Sequence, residues 1–168
     1  MTVLICGAGI GGLCLGLSLN QLNIPFQIFE SSRTIEPLGV GINLQPNAVR
    51  ELSALGIKDD LKRIGIQTEE FGLFSKQGLE IWTEPRGLKA GYDEPQFSVH
   101  RGKLQKLLYD TLIARMENNP VQLGMQVTRF KNLYSSVRIQ CIDKKTGNTE
   151  VIDGNILVAC DGINSIIR

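Results

Sequence analysis

The chain has 168 residues, about one domain by length, and a 42% hydrophobic content sufficient for a sizeable core, which excludes disordered and fibrous classes. Eighteen Lys and Arg against 17 Asp and Glu leave a formal charge of +1, so no basic footprint for nucleic acid is present. Four cysteines, Cys6, Cys14, Cys141 and Cys160, lie in apolar runs without metal-ligand spacing, and His100 is the single histidine. They read as reduced core thiols, a cytoplasmic signature.

The apolar stretch from Val3 to Leu19 carries five glycines and no positive leader, so it is neither a signal peptide nor the ~20-residue run that a membrane span needs. Within it, Val3 to Cys6 reads as a strand buried on both faces. The turn Gly7-Ala8-Gly9-Ile10-Gly11-Gly12 follows, and a helix over 11–22 presents leucines and small residues to a sheet. Pro25 stops that helix, and Phe26 to Phe29 forms a second strand with Glu30 at its end. The whole is a strand-helix-strand unit of the length such units require.

Each part has a mechanical role in dinucleotide binding. Gly7 permits the tight turn, Gly9 lets the backbone approach a pyrophosphate, and Gly12 lets helix and sheet pack closely, while the helix N-terminus offers N–H groups to the phosphates. Glu30 is placed to accept hydrogen bonds from an adenosine ribose. The plainer alternative is a glycine-rich turn that only joins a strand to a helix.

Downstream, 31–43 reads as a loop with Pro37, Gly39 and Gly41. A helix from Pro46 to Leu55 follows, closed by Gly56. A short amphipathic turn at 60–64 leads to strand pieces at 67–74 and 79–82, and 83–95 is irregular. Leucines at helical spacing predict a helix over 101–118, ended by Pro120. Strands are expected at 121–130, 133–142 and 150–152, with a turn at Lys145 to Asn148, and then the apolar run Ile156 to Cys160 reads as a buried strand. A nicotinamide dehydrogenase would continue with further strand-helix repeats. A β-meander in their place resembles the FAD-binding variant of the Rossmann domain, so FAD is preferred to NAD.

Three segments in order carry a closer resemblance: the N-terminal GxGxxG, Pro37 to Ala48 (PLGVGINLQPNA), and Ala159 to Arg168 (ACDGINSIIR). Together they resemble the single-component FAD-dependent aromatic hydroxylases of the para-hydroxybenzoate and salicylate hydroxylase superfamily. Trp82 to Gly87 and Ser98 to Gln105 are most similar to its phenazine-modifying monooxygenases.

The resemblance implies an α/β fold, a Rossmann-like FAD-binding domain of the glutathione-reductase type with a β-meander, cut short before the rest of a substrate domain. It takes 1–168 as the N-terminal FAD-binding domain and 66–99 as the start of a substrate-domain insertion. The implied activity is hydroxylation of a small aromatic substrate, a phenazine or aromatic carboxylate, with FAD as cofactor and NAD(P)H and O2 as co-substrates, and no membrane partner. An NAD(P)-dependent dehydrogenase and a catalytically silent nucleotide-binding module are the alternatives.

By position, the resemblance sets Gly7, Gly9, Ile10, Gly11 and Gly12 along the FAD pyrophosphate and Glu30 at the ribose. Arg33 is a planar donor for the ribose or a phosphate oxygen, or a solvated loop arginine. Arg101 faces the cofactor, or is a surface arginine at a helix start. The backbone of Val127 meets adenine, while its side chain is core. Asp161 and Gly162 support the pyrophosphate region and shape nicotinamide access, or form an aspartate turn capping the next helix. His100 is expected to be structural. Tyr92, Trp82 and Phe97 line an aromatic site or pack a loop-rich segment. No acid, base or nucleophile is assigned, so the catalytic residues stay unknown. The superfamily's later Gly-Asp motif is missing, and with it most of the substrate-binding sheet. The chain is expected to be a fragment or a shortened relative that does not hydroxylate alone, and that self-associates or depends on a missing segment.

Overall fold

A computed structural model describes residues 1–167; Arg168, the end of the third resemblance segment, lies outside the described residues. In chain order the strands and helices are β1 (Val3–Cys6), α1 (Ile10–Gln21), β2 (Phe26–Glu30), β3 (Gly41–Leu44), α2 (Pro46–Ala54), α3 (Lys58–Ile64), β4 (Gly65–Thr68), β5 (Glu70–Phe74), β6 (Glu80–Pro85), β7 (Gln96–His100), α4 (Arg101–Ala114), β8 (Val121–Leu123), β9 (Met125–Asn132), β10 (Val137–Asp143), β11 (Thr149–Gly154) and β12 (Ile156–Ala159). They form two compact units, residues 1–36 with 105–168, and residues 37–104. No helix among the described residues is long and apolar enough to cross a membrane.

The first unit is built on a parallel sheet of order β12-β1-β2-β8. Val3, Leu4, Ile5 and Cys6 are all buried, as a continuous apolar run in a parallel strand requires. On one side of the sheet, α1 seals Leu13 and Leu17 from solvent, each burial contributing about 1.5–3 kcal/mol. Gly16 brings that helix close: a Cβ there would sit 3.0 Å from Ile28 and 3.2 Å from Leu112. The helix ends on Asn23 in the left-handed region (φ 54°), with the Ile24 N–H donating to the Leu19 carbonyl at 2.9 Å. Termination is therefore local and precedes Pro25. On the other side, the antiparallel meander β11-β10-β9 packs Val127, Val137, Ile139 and Cys141 against Leu4, Cys6 and Phe29.

Several boundaries differ from expectation. The helix predicted over 101–118 ends at Ala114, because the N–H groups of Arg115 and Met116 turn back to Leu112 and Ile113 in tighter i−3 bonds. The strand expected over 121–130 is divided at Gly124, whose φ of 78° breaks the ladder. The run 156–160 is not buried: β12 is an edge strand and Ile156 is 44% exposed. A turn, rather than a helix, follows Asp161 among the described residues.

In the second unit, β7 is the centre of an antiparallel sheet of order β3-β7-β4. Sequence reasoning took 31–43 as a loop and assigned no strand at 96–100. Both β3 and β7 form because each supplies the other's hydrogen-bonding edge, with Gly41 opposite His100 and Leu44 opposite Phe97. Phe97, Val99, Val49, Ile57 and Leu61 make this unit's core, so Phe97 is packing and lines no open site. The short turn expected at 60–64 is the two-turn helix α3. The hairpin β5-β6 joins Phe71 and Trp82 edge to face, with centroids 6.3 Å apart.

Candidate cofactor site

The carboxyl ends of β1, β2 and β12 meet around the glycine-rich turn. Gly7 leaves β1 at φ 100°, and a Cβ there would collide with the Cys160 carbonyl, so only glycine fits beside the end of β12. The Cys160 N–H donates back to the Cys6 carbonyl at 2.7 Å. Gly12 approaches the Gly7 carbonyl so closely that any side chain would strike it. These two glycines set the turn, and the turn aims the start of α1.

That start is bare. Gly9 is the N-cap, no side chain caps the helix, and no acidic residue stands in its first turn. The first helical N–H bond to the cap is from Leu13 to the Gly9 carbonyl at 3.0 Å, which leaves the N–H groups of Ile10, Gly11 and Gly12 without intrahelical partners. A Cβ on Gly11 would meet nothing within 4 Å, and one on Gly9 only the Cys160 carbonyl at 4.0 Å. Oriented N–H donors, a helix dipole and open space are the chemistry of an anion site.

Glu30 ends β2 beside this turn. Its Oε2 accepts from the Ala8 N–H at 2.8 Å and its Oε1 from the Ser32 N–H at 2.7 Å. Oε1 also accepts from the Ser31 hydroxyl at 3.3 Å, so Oε2 is the oxygen with a further lone pair for an incoming hydroxyl. Ser32 in turn receives the Gly124 N–H at 2.9 Å, which ties the end of β2 to the β8-β9 junction. Asp161 follows β12; its Oδ2 accepts from the Ile166 N–H at 3.0 Å, while Oδ1 is buried without a partner among the described residues. Such an oxygen has room for a further donor. Burial, with the Asp161 charge adding to it, pushes the Cys6 thiol up to about 12 and raises Cys160. Both thiols are neutral packing groups.

The structure therefore brings together Gly7, Gly9, Ile10, Gly11, Gly12, Glu30 and Asp161. Gly162 adjoins them at φ 79°, in the turn that Ser165 closes on its carbonyl at 3.2 Å. Arg33 is turned to its own neighbours, with its guanidinium donating to the Lys144 carbonyl and its stem beside Gly124. Val127 is 3% exposed in the meander core. Arg101 belongs to the other unit, where its N–H donates to the Val40 carbonyl at 3.0 Å and its side chain runs past Gly39. His100 accepts the Lys103 N–H at 3.3 Å through Nδ1, a local cap for α4. Tyr92 and Trp82 are exposed. Two participants escaped sequence reasoning: the Cys160 backbone, and Gln105, whose Nε2 donates to the Ala8 carbonyl at 2.8 Å.

The bare helix start, the glycine cradle and the orphaned Asp161 oxygen fit a dinucleotide with a sugar or polyol hydroxyl near Asp161. Comparison with known proteins gives the family. Residues 1–168 match the model of a family described as FAD binding domain. The chain is 39% identical to a phenazine 1,6-dicarboxylic acid hydroxylase of Lysobacter antibioticus, over 99% of this chain and 41% of that protein. It is 30% identical to an aurachin C monooxygenase/isomerase of Stigmatella aurantiaca, over 100% of this chain and 42% of that one. Among solved structures, Klebsiella pneumoniae HpxO complexed with FAD is 25% identical with a TM-score of 0.81, over 98% of this chain and 40% of that one. The flavin-dependent monooxygenase PieE, at 17% identity and a TM-score of 0.85 over 99% of this chain and 31% of that one, shares the fold. The chain thus spans about two fifths of the length of the curated relatives it matches.

Proposed function

The chain belongs to the FAD binding domain family, and from that premise we propose that it is the cofactor-holding portion of a monooxygenase that hydroxylates a small aromatic substrate with NAD(P)H and O2. The observation that carries this reading is the glycine turn locked by Glu30 under a bare helix start, within a parallel sheet flanked by a β-meander. When bound, FAD supplies the redox chemistry, taking electrons from reduced nicotinamide and passing them to O2. The protein's own groups bind and orient. The N–H groups of Gly9 to Gly12 hold the pyrophosphate, with Gly7 shaping the turn, and Glu30 accepts from the adenosine ribose.

Asp161 and Gly162 support the pyrophosphate region, the Asp161 Oδ1 accepting from a hydroxyl of the cofactor and the pair shaping nicotinamide access. The backbone of Val127 borders the adenine. Arg33, whose guanidinium has N–H groups beyond the one given to the Lys144 carbonyl, is the further donor of this unit that we assign to the cofactor. Identity with a phenazine dicarboxylic acid hydroxylase supports a planar aromatic carboxylate as the substrate class. Residues 66–99, inside the unit 37–104, begin the part that meets it. The four unpaired thiols support a reducing, cytoplasmic setting.

The test is calorimetric titration of the purified chain with FAD and separately with NAD, beside its visible absorption spectrum. FAD binding tighter than NAD is expected, and the reverse order overturns the assignment.

A further inference from the structure

Ala8, the residue between the first two glycines of the turn, is held by side chains on both of its peptide groups. Its N–H donates to Glu30 Oε2 at 2.8 Å, and its carbonyl accepts from Gln105 Nε2, also at 2.8 Å. Because a carbonyl can only accept, the amide of Gln105 must turn its NH2 to Ala8. Ala8 itself is fully buried and Gln105 partly so. The partners come from two different elements, Glu30 from the end of β2, 22 residues beyond Ala8, and Gln105 from α4, 97 residues beyond it.

A trans peptide carries its C=O and N–H on opposite sides of one plane. Pinning the Ala8 N–H to Glu30 therefore turns the Gly7 carbonyl the other way, toward Gly12, which it approaches closely. By the same geometry, pinning the Ala8 carbonyl to Gln105 turns the Gly9 N–H away from α4. That second peptide needs a pin. Gly9 stands at φ −70° and ψ −179°, and a flip of the Ala8–Gly9 peptide would carry Gly9 into positive φ, which glycine enters at almost no cost. A flipped peptide would offer a carbonyl oxygen to the phosphates where the unflipped one offers an N–H.

We propose that Gln105 is a positioning residue of the cofactor site: its amide selects one orientation of the Ala8–Gly9 peptide, so that the Gly9 N–H joins those of α1 in facing the pyrophosphate. The inference rests on the reading of this turn as the FAD site.

Gln105→Met removes the donor at nearly constant shape, and Gln105→Glu replaces it with a carboxylate that can donate only when protonated. Each is titrated with FAD and with ADP, and the ligand-free melting temperature is recorded. Gln105→Met is expected to bind both ligands about tenfold more weakly, the worth of one hydrogen bond of about 1.4 kcal/mol, with little change in ligand-free melting. The pH profile separates positioning from packing. As pH falls toward the ordinary glutamate value of about 4.3, Gln105→Glu is expected to recover affinity beyond the level of Gln105→Met, both measured relative to the parent at the same pH. Relief of charge repulsion alone would bring it only to that level. If the parent binds FAD and Gln105→Met binds equally well, or if the acid recovery stops at the methionine level, the inference is overturned while the site stands. A parent that fails to bind FAD overturns the reading of the site and the inference with it.

Discussion

The Glu30 carboxylate reaches back 22 residues to the Ala8 N–H, closing the glycine turn from the end of the neighbouring strand. A carboxylate expected to serve a ribose is therefore also a structural clasp, with its second oxygen on the Ser32 N–H. Glu30→Gln keeps a single acceptor oxygen for two backbone donors and the Ser31 hydroxyl. We expect a loss of about 1–2 kcal/mol of stability, the worth of one charge-assisted hydrogen bond at a partly exposed site. Urea denaturation measures it, and an unchanged midpoint at unchanged slope would show that the clasp is not needed.

Gly9 and Gly7 are expected to fail differently. A side chain on Gly9 finds room on the protein side, where its Cβ would be 4.0 Å from the Cys160 carbonyl. Gly9→Val should leave the fold intact and weaken FAD or ADP binding by at least about a hundredfold, the loss of two or more phosphate contacts. Gly7→Ala must instead force positive φ and a clash with the Cys160 carbonyl, which costs at least about 1–3 kcal/mol of fold stability. Melting and binding measured on both variants would refute this if Gly9→Val bound ADP like the parent.

At Gly16 the constraint is packing. A valine there would press on Ile28, Phe26 and Leu112, and overpacking of this kind costs about 1–3 kcal/mol. A Gly16→Val protein as stable as the parent in denaturant would mean that α1 can lift from the sheet without penalty.

The buried thiols predict an alkaline limit. Burial raises Cys6 to about 12 and Cys14 and Cys141 to about 11, from an ordinary 9.0. Below about 9, these thiols are protonated in folded and unfolded chains alike. Between 9 and about 11–12 the unfolded chain releases protons that the folded chain keeps, so stability falls as pH rises through that window. Denaturation midpoints from pH 8 to 11 should decline, and maleimide should label Cys6 and Cys141 far more slowly than in denaturant. Rapid labelling of both in the folded protein would contradict the burial.

The strand-helix-strand unit, the glycine turn and Glu30 were legible in the amino-acid sequence because each is local: a buried apolar run, glycines at fixed offsets and an acidic residue at the next strand's end lie within thirty residues. The turn from Lys145 to Asn148 and the leucines of α4 were legible for the same reason. What the tertiary structure decided is pairing. Residues 41–44 become a strand by completing the hydrogen bonds of 96–100 across more than fifty residues, and 96–100 pair with 65–68 on their other edge. Ile156 to Ala159 reads as buried from its side chains, yet it lies at an edge because, among the described residues, β1 is the strand that pairs with it in the sheet. Arg33 is a free donor by sequence and is tied to the Lys144 carbonyl in the fold. Gln105 looked like one more polar position on a helix. Nothing in its spacing names a partner 97 residues away, since a helix period says which face a residue occupies and only packing says what that face meets.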